Sequence, residues 1–152
     1  MQRKKTSKTL PIFCILLVFC TPVCSQTPEA YFEKYRHIAV EHEQKYGVPA
    51  CIILAQAALE TGYGKSYLAR VHNNHFGIRA RHGYRRYDTA ESSFVAHSVL
   101  LTTQARYKSL FELNASDYKG WAHGLQRCGY ATDSLYAEKL VWIIERYKLN
   151  KL

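Results

Sequence analysis

The stretch Ala55-Gln56-Ala57-Ala58-Leu59-Glu60-Thr61-Gly62-Tyr63-Gly64-Lys65-Ser66 decides the reading of the chain. Upstream of it, Ile52, Ile53, Ala55, Ala57, Ala58 and Leu59 make a segment that is apolar on nearly all sides, as a helix in the middle of a core must be. Val48-Pro49 opens that helix, with Pro49 in the first turn, where its missing N–H costs nothing. Gly62-Tyr63-Gly64 closes it, because glycine takes the positive backbone dihedrals of a C-terminal cap. Gln56 lies one helical turn before Glu60 and Ile53 two turns before it, so the helix carries a polar pair on one side. A lone carboxyl at the end of a buried helix has a pKa raised by burial above the ordinary glutamate value of roughly 4.3, which suits a proton donor near neutrality. The same residues also fit a partly exposed helix-end glutamate with no chemical task.

Working outward, Pro28 to Tyr46 reads as a helix with Tyr31, Tyr35, Ile38 and His42 on its packing stripe and Gly47 as its stop. After the central stretch, Lys65 to Val71 is a further short helix, and Asn73-Asn74 marks a tight turn whose amides can bond backbone or a ligand. His72 and His75 lack acidic or thiol partners at useful spacing, so capping or packing outweighs metal binding, and no metal or other cofactor is expected. Arg79 to Tyr87 folds as a small hairpin around His82-Gly83, with a basic surface from Arg79, Arg81, Arg85 and Arg86 and with Tyr84 and Tyr87 available to a sugar ring. Asp88-Thr89-Ala90-Glu91 matches a capping box, Asp88 at the N-cap and Glu91 reaching back, for a helix to about Gln104. Phe94, His97, Val99, Leu100 and Leu101 turn inward on that helix. Arg106 to Leu113 is read as a connection, and Asn114-Ala115-Ser116 is formally a glycosylation sequon. Asp117 caps a helix through Trp121 to Arg127 that Gly129 ends; Asp133 caps the last one, Ser134 to Tyr147, packed through Tyr136, Leu140, Ile143, Ile144 and Tyr147.

The chain has 152 residues, 47% hydrophobic and 13% aromatic, which suffices for one domain with an ordinary core. Its first residues are of another kind: a basic head (Arg3, Lys4, Lys5, Lys8), an apolar run from Leu10 to Cys20 and small residues at Cys24-Ser25. This is the pattern of a secretory signal peptide over residues 1–25, leaving a domain over 26–152 and a periplasmic or secreted product. A retained anchor would need a longer run, about 20 residues, and acylation of Cys24 finds poor neighbours in Pro22 and Val23. Loss of the leader leaves 17 Lys and Arg against 12 Asp and Glu, a net charge of +5. That mild basicity suits an anionic polymer such as a cell wall; no nucleic-acid motif accompanies it, no stable membrane span is expected in the mature protein, and a monomer is expected. Two cysteines remain, Cys51 and Cys128, which either pair across a long loop, adding about 4 kcal/mol, or serve as small buried side chains.

The strings AQAALETGYGKS, NNHFGI, RRYDTAESSF, the pair Arg106-Tyr107, YKGWAHGL and GYATDSLYAEKLVWII stand in the order and form of one family. The chain resembles the glucosaminidase family of peptidoglycan hydrolases, glycoside hydrolase family 73, with its flagellar rod-assembly and autolysin members, over nearly the whole mature length. The resemblance implies a lysozyme-like, mainly α fold (α+β) with a small β lobe, acting on peptidoglycan glycan strands at the bond after N-acetylglucosamine. It puts Glu60 at the position of the catalytic acid, Tyr130 in the same cleft, and Tyr63, Asn74 and Phe76 near the substrate groove, beside Gln56 and Tyr87. One departure stands out. Only eight residues, none acidic, separate Ile78 from Tyr87, where the family has a longer segment that carries its second carboxylate. Three readings follow: Asp88 or Glu91 serves as base, the substrate's own acetamido oxygen assists, or the domain binds glycan and cuts poorly. A lytic transglycosylase, which also runs on one glutamate, is a further reading.

Overall fold

The computed structural model describes residues 27–152; the expected signal peptide lies outside the described residues. Six α-helices follow in order: α1 (Pro28–Tyr46), α2 (Ala50–Thr61), α3 (Tyr67–His72), α4 (Ala90–Thr103), α5 (Tyr118–Arg127) and α6 (Tyr136–Arg146), with 3-10 turns at Ala105–Glu112 and Leu149–Lys151. α2 is the axis. Its residues Ala50 to Ala58 are all buried, and α1, α5 and α6 pack around it. Each large aliphatic side chain sealed there contributes on the order of 2 kcal/mol, which is why an all-apolar helix settles at the centre.

The helix ends follow local chemistry. Thr27 caps α1 by accepting from the Ala30 N–H at 3.2 Å, Pro28 occupies its first turn, and Gly47 leaves it at φ 73°. The stripe Tyr31, Tyr35, Ile38 and His42 is buried as expected. Pro49 has no side-chain cap to give α2; Glu43, from α1, supplies it by accepting from the Ala50 N–H at 2.7 Å. His42 Nδ1 and Ser98 Oγ, 2.9 Å apart, tie α1 to α4 inside the core. Cys51 and Cys128 are free thiols, the former buried.

Several boundaries differ from the sequence reading. Thr89, not Asp88, is the N-cap of α4: its hydroxyl accepts from the Ser92 N–H at 3.2 Å and lies 2.9 Å from the Ser92 hydroxyl. With the cap shifted by one, Glu91 falls short of the third position and the box does not form. Val99 is exposed and Leu100 half-buried, so the inward face of α4 is Phe94, His97 and Leu101. Asp133 stands two residues ahead of the α6 N-cap, Leu135; it accepts from the Leu135 N–H at 2.9 Å and pairs with Lys139. Ala105–Glu112, read as a connection, is a 3-10 helix that buries Tyr107 and Leu110. Asp117 caps α5 as read.

The hairpin is present in minimal form: among the described residues the only β pairing is one bridge, Arg79 to Tyr84, flanked by Ala80 N–H to Gly83 carbonyl (3.1 Å) and Arg85 N–H to Ile78 carbonyl (2.9 Å). Asn74, fully buried, holds its base, donating to the carbonyls of Ile78 and Arg85 at 2.9 Å each and accepting from the Ile78 N–H at 3.0 Å. The body is thus a helical bundle with one short loop lobe.

Candidate active site

Glu60 is the penultimate residue of α2, and three consecutive left-handed residues, Gly62, Tyr63 and Gly64, follow that helix. Thr61 locks this turn: its hydroxyl donates to the Ala57 carbonyl at 2.6 Å and accepts from the Gly64 N–H at 2.8 Å. The abrupt exit frees the last turn of α2 from cover, and the Glu60 side chain emerges into a groove of about 760 Å³. Phe76, Gly77 and Ile78 form one wall, Leu100, Arg106 and Tyr107 another. Gly77, at φ 61°, faces the carboxyl: a Cβ there would lie in ordinary van der Waals contact, 3.7 Å from Glu60 Oε2.

The sequence led us to expect a sheltered carboxyl. Instead Glu60 opens into the groove and is exposed, while protein crowds it from below and the sides. That crowding raises its pKa above the ordinary glutamate value; the neighbouring Tyr136 hydroxyl pulls the other way without prevailing. Among the described residues, the ion pairs are Lys119–Glu145 and Lys139–Asp133, and none involves Glu60.

Beneath the carboxyl runs a buried polar chain. Tyr136 Oη accepts from Gln56 Nε2 at 3.0 Å, which leaves its own proton for the adjacent Glu60. The other end of the Gln56 amide, Oε1, faces His97 Nε2 at 3.1 Å, so that nitrogen carries the proton. The His97 ring stacks on Phe76 at 4.0 Å, and burial holds its pKa down at about 3, a neutral imidazole at any ordinary pH. Tyr130 stacks on Tyr136 at 5.6 Å and lines the groove; burial first, then its neighbours Tyr136 and Glu60, push its pKa well up, which keeps its phenol a hydrogen-bond donor.

The sequence-derived residues separate accordingly. Glu60, Phe76 and Tyr130 line one groove, joined by Tyr84. Gln56 is fully buried and supports the floor, bonded to Tyr136 and His97. Asn74 is taken up by the hairpin base. Tyr63 packs against Phe32 and Tyr147, with ring centroids at 5.9 and 5.8 Å, and borders a separate apolar depression with Leu135 and Trp142. Tyr87 has its hydroxyl buried and unpartnered, away from the groove lining. Asp88 and Glu91 are exposed and do not line the groove, where Glu60 is the one carboxylate among the described residues. His75 is held between the hydroxyls of Tyr31 (2.8 Å) and Tyr35 (3.4 Å), and among the described residues no group of three His, Cys, Asp or Glu is placed to hold a metal. His97, Tyr136 and Arg106 were missed as site residues. A glutamine on an otherwise apolar buried helix needs polar partners, and that requirement was the available signal for the first two.

A helical body, a loop lobe across a groove and a helix-end glutamate in it define the lysozyme-like class. Residues 36–149 match the model of the glucosaminidase family, described as mannosyl-glycoprotein endo-beta-N-acetylglucosaminidase, and the chain belongs to that family. Among its relatives, the exo-glucosaminidase LytG of Bacillus subtilis is 33% identical over 135 residues, covering 71% of this chain and 47% of LytG. The catalytic domain of the autolysin Auto from Listeria monocytogenes superposes with a TM-score of 0.74 at 26% identity, over 82% of this chain and 86% of that one. The glycoside hydrolase domain of Salmonella typhimurium FlgJ does so at 0.69 and 28%, over 80% and 89%. The chain spans about half the length of the curated relatives it matches.

Proposed function

We propose that this protein is a peptidoglycan hydrolase that cleaves the β-1,4 bond after N-acetylglucosamine, with Glu60 as general acid. The observation that carries the reading is a single carboxyl, raised in pKa and lacking a cationic partner, at the floor of a groove with room for sugars. The Glu60 proton passes to the glycosidic oxygen as the bond from the anomeric carbon breaks and oxocarbenium character develops. Tyr130, a neutral phenol in the same groove, donates a hydrogen bond to the bound sugar. Since Glu60 is the one carboxylate lining the groove among the described residues, the substrate's acetamido oxygen is the fitting internal nucleophile. It closes on the anomeric carbon, and water then opens the ring while the Glu60 carboxylate takes the water's proton.

The lone carboxylate also favours a second reading, lytic transglycosylase chemistry, in which a sugar hydroxyl replaces water. Mass spectrometry of digested peptidoglycan separates them: reducing N-acetylglucosamine ends support hydrolysis, and anhydro-muramic ends overturn it for transglycosylation. Glycan pulled down equally by the native chain and by Glu60→Gln, with no cleavage by either, would reduce the domain to a binding module. The basic head and apolar run of residues 1–25 support export to the cell envelope, where the substrate lies.

A further inference from the structure

Two guanidiniums in the groove have no task in that mechanism. Arg79, on the hairpin, and Arg106, at the start of the 3-10 segment, both line it, and they come from different elements. Each is held by an aromatic face, with the Arg79 guanidinium carbon 4.2 Å from the Tyr84 ring centroid and that of Arg106 4.6 Å from Tyr107, and both tyrosines also line the groove. Neither has a carboxylate partner: among the described residues the ion pairs are Lys119–Glu145 and Lys139–Asp133. Arg106 donates Nε–H to Gln104 Oε1 at 3.0 Å and an Nη1–H to the Gly129 carbonyl at 3.4 Å, which fixes its plane. Among the described residues, the Arg79 guanidinium rests on the Tyr84 ring. Stacking restrains a guanidinium without neutralising it, so little further freedom is lost when a planar anion arrives.

We propose that Arg79 and Arg106 read a carboxylate carried by the glycan, so that the groove selects an acid-bearing strand over a neutral one. This rests on the groove being the glycan site. Wall glycan offers that chemistry from two sources: the lactyl ether of muramic acid, a free carboxylate where the strand is stripped of peptide, and the carboxylates of the peptide stem where it is not. A guanidinium fork engages either through paired charge-assisted hydrogen bonds.

The test uses the full chain carrying Glu60→Gln, so that binding is measured without turnover, by titration at low and high salt. The probes are peptide-free strands, the same strands with their carboxylates amidated, and stem-bearing strands. The proposal expects amidation to weaken binding roughly tenfold at low salt, Arg79→Gln and Arg106→Gln to erase most of that difference, and salt to reduce it. Arg81→Gln removes the same charge from the exposed hairpin outside the groove lining and should leave the difference intact. A preference for peptide-free strands assigns the lactyl group; a preference for stem-bearing strands assigns the stem. Equal binding of acid and amidated strands, or an Arg81 effect as large as the other two, overturns the proposal. Cleavage by the unsubstituted chain, run in parallel, reports separately on the hydrolase reading.

Discussion

At the residue scale, the groove carboxyl and two buried imidazoles titrate with opposite effects on stability. Folding raises the Glu60 pKa, so the native state favours the protonated acid and loses stability as pH climbs through that raised value. Glu60→Gln removes this cost. The variant should be as stable as the native chain or slightly more so at neutral pH, with the difference vanishing below pH ~4.5, where glutamate is protonated in both states. Thermal melts across pH check it, and a variant clearly less stable at pH 7 contradicts it. His75 and His97 act with the opposite sign. Burial lowers their pKa values to about 4 and about 3, so the unfolded chain binds more protons once pH drops below ~6.5. Each should withdraw about 2 kcal/mol of stability by pH 5, a loss that continues until its folded-state value is passed. A flat unfolding free energy between pH 7 and 5 would rule this out.

At the element scale, the helix termini make sharper tests than the helices. Thr89→Ala removes the hydroxyl that caps α4 and should cost about 1 kcal/mol, a few degrees of melting temperature, whereas Asp88→Ala should cost almost nothing. The reverse order would restore the capping box read from the sequence. Gly62 and Gly77 form a second pair. Both hold positive φ, 56° and 61°, so alanine at either position should destabilise by about 1 kcal/mol. A methyl at Gly62 meets nothing within 4 Å, but one at Gly77 lies 3.7 Å from Glu60 Oε2. Gly77→Ala should therefore lose activity that Gly62→Ala keeps, measured as kcat/KM on the same substrate at a temperature where both are folded. The sequence carried the elements well where one rule governed them: an apolar run fixed α2, and glycine fixed its end. It failed where two adjacent residues could each serve as a cap, as at Asp88-Thr89, because the choice depends on the backbone angle at which the chain enters the helix.

At the scale of the whole molecule, the site is a product of packing between distant segments. Glu60 was legible because its helix and the glycine turn are local. The chain from His97 through Gln56 to Tyr136 was not, since its hydrogen bonds span 41 and 80 residues and the sequence shows only a polar atom that will need company. Tyr63 and Tyr87 were legible as aromatic residues, but their directions depend on how the hairpin and α6 close over α2. The groove results from that closure, and among the described residues Glu60 is the one carboxylate that lines it. The most direct measurement is the release of reducing ends from purified peptidoglycan by the native chain and by Glu60→Gln, with melting temperatures recorded for both. The account predicts release by the native chain and none detectable by an equally folded variant. Comparable release by both would place the proton donor elsewhere and contradict it.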